Sequence, residues 1–163
     1  MAEIVVADAG PLIALGRLGR IDLLPQVFAK VIVPRTVFEE TQVYSDLPDA
    51  RAIVSSWQGG DFTVDNTQVN FLEPTLDDDL GLGEATAISL AVAQGYGVLI
   101  DDMHGRVVAA TLKIETIGTV GVLLLARQRA LIPALKPLLE QLVASGHYLS
   151  TTLVQAALIK VGE

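Results

Sequence analysis

The sequence predicts an α/β fold in which helices cover both faces of a mostly parallel sheet of about five strands. Short apolar segments alternate along the chain with longer segments of helical periodicity, as parallel sheets require. The apolar segments show no polar alternation, which is typical of strands buried on both faces. Of the 163 residues, 51% are apolar and 18% are charged, which fits a single domain over residues 1–163.

The first two strands are predicted at residues 3–7 and 29–33, "EIVVA" and "AKVIV". Between them, "GPLIALGRLG" is helical because Pro11 is tolerated in a first turn. The segment "RIDLLPQVF" is then a short helix that ends near Pro25. Pro34 begins the next helix, "PRTVFEETQVY".

The middle of the chain continues this alternation. A helix is expected over residues 45–57, and a third strand from Phe62 to Val64. Residues 65–82 are the least regular segment. The Ala- and Leu-rich stretch from Glu84 to Gln94 is helical, and "YGVLI" at residues 96–100 is the fourth strand.

The C-terminal part contains a helix after Met103, a short fifth strand "IETI" and two or three closing helices. Gly146 ends one of these helices, and Ser150 or Thr151 caps the next. Five apolar residues in this part recur at helical spacing: Leu135, Leu138, Leu139, Leu142 and Val143. Such a stripe belongs to the core or to a homodimer face.

Composition excludes several classes of protein. The chain has no cysteine, which excludes disulfides, thiolate zinc sites and thiol nucleophiles. The N-terminus does not resemble a signal peptide, and no apolar stretch is long enough to cross a membrane, so we expect a cytoplasmic protein. A net charge of −8 argues against a passive nucleic-acid binder. It does not exclude a nuclease, because bound divalent cations reverse the sign of an acidic site.

Three carboxylates follow the first and fourth predicted strands: Asp8, Asp101 and Asp102. If the strand order is 3-2-1-4-5, these strands are neighbours and their carboxyl ends share one crevice, where such sheets bind ligands. Asp8 and Asp102 could each simply cap the helix that follows. Two caps do not readily explain Asp101.

Further acids lie on the predicted helices. Glu39 and Glu40 are adjacent, so at most one of them faces the crevice easily, and such a pair is usually a solvated face. Glu84 begins a markedly apolar helix, where it either complements the helix dipole or serves a buried site.

Carboxylates that converge in such a crevice repel one another unless a cation compensates them. One or two Mg²⁺ or Mn²⁺ ions suit an all-oxygen site, and they can activate a water and stabilise in-line attack on a phosphodiester. Arg106, four residues after Asp102, either restrains that carboxylate or holds a substrate phosphate. His104 is more often incidental than functional. Further candidates for contacts with nucleic acid are Arg17, Arg20 and Arg35.

Four segments occur in an order and spacing that match a known family: "VVADAGPLIAL", "VIVPRTVFEET", "GLGEATAISLA" and "VLIDDMHGRVVA". The chain resembles the PIN domain, a metal-dependent ribonuclease fold that includes the VapC toxins. The C-terminal segment "IGTVGVLLLARQRALIPALKPLLEQL" extends the resemblance to essentially the whole chain. The resemblance implies a three-layer α/β/α sandwich with an acidic pocket for Mg²⁺ or Mn²⁺.

Carried over residue by residue, the family's four acids fall on Asp8, Glu40 (or Glu39), Glu84 and Asp102 (or Asp101). The chain departs from the family at two places. Many members have Ser or Thr directly after the first Asp, where this chain has Ala9 and Gly10. Many also have Thr or Ser two residues before the last Asp, where it has Ile100 if Asp102 is the match. These changes remove hydrogen bonds that orient ligands.

The expected function is therefore a metal-dependent endoribonuclease that hydrolyses RNA phosphodiesters, with the toxin of a toxin–antitoxin pair as a more specific form. Its catalytic residues would be Asp8, Glu40, Glu84 and Asp102, its metal ligands these four with Asp101, and its phosphate contact Arg106. The alternative is a catalytically weak or inactive PIN-like module that binds RNA or a protein. A small antitoxin and a second copy of the chain are the expected protein partners.

Overall fold

The structure is a computed structural model that describes residues 2–67 and 80–163. Within these ranges five strands form one sheet: β1 (Ile4–Ala7), β2 (Lys30–Pro34), β3 (Thr63–Asp65), β4 (Gly97–Leu99) and β5 (Thr116–Ile117). Their order is β3-β2-β1-β4-β5, and all neighbouring strands are parallel. The predicted strand order and parallel sheet are confirmed.

Nine α-helices lie in the described ranges: α1 (Ala9–Leu18), α2 (Leu24–Val27), α3 (Arg35–Thr41), α4 (Pro48–Gln58), α5 (Leu82–Gln94), α6 (Met103–Thr111), α7 (Thr119–Gln128), α8 (Lys136–Ala144) and α9 (Thr151–Lys160). α1 packs against α4, α7 and α8, α5 packs against α6, and α3 lies between them in contact with both α1 and α5. This arrangement is the α/β/α sandwich. No helix in the described residues is long and apolar enough to span a bilayer. The segment predicted to be irregular, residues 65–82, falls mostly outside the described residues.

The centre of the sheet is β1, which pairs with β2 on one side and with β4 on the other. Val6 lies opposite Ile32 of β2 and opposite Val98 of β4. The three central strands, β1, β2 and β4, are almost entirely buried on both faces, which explains their continuous apolar sequences. Beyond the end of β1, the backbone N–H of Asp8 donates to the carbonyl oxygen of Leu99 at 2.9 Å. The carboxyl ends of β1 and β4 are thereby held side by side.

The ends of some helices differ from the positions predicted from the sequence. Pro25 does not end a helix, so that prediction was wrong; it lies in the first turn of α2, where its missing N–H costs no intrahelical hydrogen bond. α5 begins at Leu82, two residues before Glu84. The hydroxyl of Ser150 accepts from the Leu153 N–H at 3.2 Å and so caps α9, as predicted.

Candidate functional site

Asp8 lies at the carboxyl end of β1, directly before α1. Its residue surface is only 6% exposed, and its side chain makes no capping hydrogen bond to α1. The pKa of its carboxyl is raised to about 7, chiefly by burial and also by the charges of Glu84, Glu40 and Asp102, against a lowering effect of the Ala9 N–H. Helix capping therefore does not account for this acid.

Glu40, near the end of α3, reaches across to the first turn of α5. A Cβ atom placed on Gly83 would lie 2.6 Å from its Oε2 and 2.7 Å from its Cδ, so the carboxylate occupies the space that a side chain would need. Burial raises the pKa of the Glu40 carboxyl, and the Gly83 N–H lowers it. Within the described residues the Glu39 side chain makes no contact of this kind. The structure thus brings Glu40, and not Glu39, to the other acids.

Glu84 projects from the first turn of α5 and is half-buried. Burial raises the pKa of its carboxyl, and the charges of Asp102 and Glu40 raise it further; the neighbouring charge of His104 lowers it. The charges of Glu40 on α3 and of Asp102 after β4 both act on the Glu84 carboxyl, so Glu84 lies electrostatically between these two acids.

The two adjacent aspartates after β4 face different surroundings. The carboxylate of Asp102 adds to the charge felt by Asp8 and Glu84, and its Oδ2 also accepts from the Gly105 N–H at 2.8 Å, capping α6. Asp101 instead accepts from the backbone N–H of Thr119 at 2.7 Å and from its hydroxyl at 2.6 Å. The electrostatic contacts of the other acids are therefore with Asp102.

Four carboxylates from four parts of the chain thus share one electrostatic environment at the carboxyl edge: Asp8, Glu40, Glu84 and Asp102. Coulomb interactions act over longer distances than metal coordination does. In the described ranges no group of three or more His, Asp or Glu side chains is arranged so that it could hold a metal ion. The donor set, all carboxylate oxygens, has the chemistry that Mg²⁺ and Mn²⁺ prefer.

The basic candidates divide into two groups. Arg106 donates from Nη1 to the carbonyl oxygen of Ile100 at 3.4 Å, beside the acids. Arg35 begins α3 at the carboxyl end of β2, on the same edge of the sheet. Arg17 and Arg20 lie at the far end of α1, where they contact the Ser145 carbonyl oxygen and Asp22. These two arginines are separated from the acids by the length of that helix.

Three residues beside the acids were missed by the sequence analysis. Thr119 is fully buried and binds Asp101 through two hydrogen bonds. His147, in the segment between α8 and α9, has its Nε2 3.6 Å from Asp101 Oδ2. Gly83 could have been suspected from its place before Glu84 in "GLGEAT", but nothing in the sequence near Thr119 or His147 points to Asp101.

We expect Asp8→Asn to stabilise the protein at alkaline pH when metal is removed with EDTA. The pKa of Asp8 is raised by folding from 3.8 to about 7, so its contribution to stability is complete below about pH 4 and is lost as the pH rises through about 7. Asparagine carries no charge to bury. The variant should gain about 4 kcal/mol in free energy of unfolding at about pH 8 and almost nothing at about pH 4.

Urea unfolding over this pH range checks the prediction, with Asp46→Asn as the control because Asp46 is exposed. Parallel stability curves for Asp8→Asn and the parent protein would show that Asp8 does not carry the pH dependence.

Comparison with known proteins agrees with this geometry. A family model described as a PIN domain matches residues 4–163. No curated protein and no solved structure gives a significant match to the chain. PIN domains are generally nucleases, and the five-stranded parallel sheet described above is consistent with their fold. Because the match covers nearly the whole sequence, the chain belongs to the PIN domain family.

Proposed function

We propose that the protein is a metal-dependent endoribonuclease that hydrolyses RNA phosphodiesters. The observation that carries the proposal is the environment of Asp8. This carboxylate is almost completely buried, and the charges of three acids from α3, α5 and the end of β4 act on it. A fold gains no stability from grouping like charges in a buried place. Such a grouping is explained by a positively charged occupant.

Mg²⁺ or Mn²⁺ fits this set of donors. Asp8, Glu40, Glu84 and Asp102 would hold the ion. Asp101, the further ligand that the sequence suggests, is not included, because its carboxylate is engaged by Thr119. When bound, a divalent cation of this kind neutralises the carboxylates, polarises a phosphoryl oxygen and lowers the pKa of a water. The acids themselves fix the position of the site at the carboxyl edge of the sheet, and the buried strands beneath exclude water from one side.

Arg106 is the residue that we propose to hold the substrate phosphate. It lies one helical turn after Asp102, and its Nη1 contacts the Ile100 carbonyl oxygen at 3.4 Å, a long and weak hydrogen bond that leaves donors for an anion. A guanidinium can bind a phosphate through two parallel hydrogen bonds. In an acidic protein this cation would offset the repulsion between the acids and the RNA backbone.

The toxin role, a small antitoxin partner and homodimerisation belong to the same proposal and come from the family. A gene for a small protein directly beside that of this chain, which suppresses growth arrest when both are expressed, would support the toxin role. Cell growth that is unaffected by expression of this chain would contradict it.

Glu40→Gln should lower Mn²⁺-dependent cleavage of single-stranded RNA by at least about 100-fold, because loss of even a partner of a metal ligand costs 10–100-fold. Its control is the adjacent Glu39→Gln, which removes the same charge from the neighbouring position and should leave the rate within about twofold of the parent. The measurement is the initial rate of cleavage of a labelled RNA at saturating Mn²⁺. Equal losses in both variants would contradict the assignment of Glu40.

Gly83→Ala should reduce the same activity without unfolding the protein. The added Cβ would overlap with the Glu40 carboxylate, and a flexible side chain moves away at little cost in stability. We expect about a tenfold or greater loss of rate with less than about 1 kcal/mol lost in free energy of unfolding. The matched control is Gly81→Ala, since among the described residues a Cβ on Gly81 meets only Glu84 Oε1, at 3.9 Å. Full activity of Gly83→Ala would show that the position of Glu40 is unimportant.

A second candidate function is a PIN-like module that binds RNA or a protein without cleaving it. Ala9 favours this candidate, because it supplies no hydroxyl beside Asp8 where many relatives carry one. Metal titration separates the two. For an enzyme site, Mn²⁺ at about 100 times its Kd should raise the free energy of unfolding by about 2.7 kcal/mol, and Asp8→Asn should abolish the gain. A parent protein whose stability is independent of Mn²⁺ would favour the binding module.

A further inference from the structure

A cavity of about 470 Å³ lies beside the acids, on the β5 side of Asp101. The start of α6, strand β5, the start of α7 and the segment between α8 and α9 surround it. Its volume is within the range of sites that bind small organic molecules. In the described part of the chain, Asp8, Glu40 and Glu84 do not line it. The cavity is therefore adjacent to the acidic site but separate from it.

Asp101 builds one wall of this cavity. Its carboxylate is fixed by two hydrogen bonds from Thr119 at the start of α7. It also faces His147 at 3.6 Å, which attaches the segment after α8 to the edge of the sheet. A Cβ on Gly118 would lie 2.7 Å from Arg106 Nη1 and 2.9 Å from Asp101 Oδ1. The glycine therefore leaves room for these two polar groups to approach each other at the cavity wall.

Large side chains at the cavity are unusually exposed. Tyr148 is 86% exposed and Met103 is 74% exposed, and both line the cavity with Leu153. Clustered apolar side chains in contact with water mark binding surfaces. A tyrosine ring offers a face on which a flat ring can stack, and a methionine adapts to the shape of its neighbour. Beside them stands the planar cation of Arg106. Together these groups suit a flat aromatic ligand that carries an anionic group.

We propose that this cavity binds one unpaired nucleotide of the RNA strand, next to the phosphate held at the acids; this inference rests on the proposed function. The base stacks on Tyr148, and the guanidinium of Arg106 contacts the phosphate between the two sites. Asp101 and Asp102 are consecutive, and their carboxylates face the cavity and the acids respectively. A strand whose phosphate lies at Asp102 therefore places a neighbouring nucleotide at the cavity.

The charge of the protein explains why such a subsite is needed. Most nonspecific binding of nucleic acid comes from lysine and arginine on phosphates, but this chain has a net charge of −8. Base stacking does not depend on the charge of the protein, and it works only on unpaired bases. Stacking on Tyr148 would therefore favour single strands and depend weakly on salt, unlike the contact of Arg106 with the phosphate.

The test is fluorescence anisotropy with a labelled single-stranded RNA of about ten nucleotides. The full chain carries Asp8→Asn in every sample, so that the RNA is not cleaved. In this background Tyr148→Ala should weaken binding about 5- to 100-fold, the range found for loss of one base–aromatic stack. Tyr148→Phe should retain the affinity within about twofold, because it keeps the ring. The matched control is Tyr44→Ala, since Tyr44 is 73% exposed and does not line the cavity.

A series of RNAs with one abasic position moved along the strand locates the contact. In the Tyr148-containing protein one position should lose affinity on removal of the base, and Tyr148→Ala should no longer respond at that position. Equal binding by Tyr148→Ala and the Tyr148-containing protein, at unchanged melting temperature, would overturn the subsite. This result together with normal RNA cleavage by the parent chain would contradict the proposed subsite and leave the proposed function intact. If Tyr148→Ala loses affinity but the parent protein cleaves no RNA, the subsite is supported and only the proposed endonuclease activity is contradicted.

Discussion

The parallel pairing of β1 with both β2 and β4 is the constraint on which the rest of the structure depends. In the described residues between β1 and β4 lie two strands and five α-helices, yet Val6 and Val98 lie side by side. The hydrogen bond from the Asp8 N–H to Leu99 extends this pairing past the last residue of β1. Acids that are distant in sequence meet because each follows a strand, or begins a helix, at the same edge of one sheet.

Grouping four carboxylates at the carboxyl edge of the sheet is electrostatically unfavourable. Burial and neighbouring charges raise the pKa of Asp8 to about 7, which means that its ionised form is disfavoured in the folded chain. The apolar layers beneath it compensate, because the strand side chains next to Asp8 are buried in a continuous core. A site of this kind exchanges part of the stability of the domain for a fixed arrangement of like charges. Removal of a carboxylate and removal of core side chains should therefore have opposite effects on stability.

Sequence alone predicted the elements that follow from periodicity and strand ends. The alternation of apolar segments with helical segments predicted the parallel sheet. The position of Asp8 after a buried strand predicted that it lies in the crevice at the carboxyl ends of the strands. Which member of each adjacent acidic pair joins the site depends on tertiary contacts instead. Glu40 differs from Glu39 because Gly83, far along the chain, leaves room for its carboxylate. Asp102 differs from Asp101 because Thr119 binds only Asp101. Gly83 and Thr119 are both distant in sequence from the acids they contact, so no local sequence pattern could reveal these contacts.

The two aspartates after β4 show how one strand end serves two environments. In an extended chain consecutive side chains point to opposite sides, so a doublet at the end of β4 divides the carboxyl edge between the acids and the cavity. On one side Asp102 joins Asp8 and Glu84. On the other, Asp101 holds α7 and His147 in place. The two carboxylates of this adjacent pair are held apart because Thr119 donates two hydrogen bonds to Asp101 on the side of the cavity. A single carboxylate could not both face the charged site and fix the wall of the neighbouring cavity, and this double demand accounts for both residues.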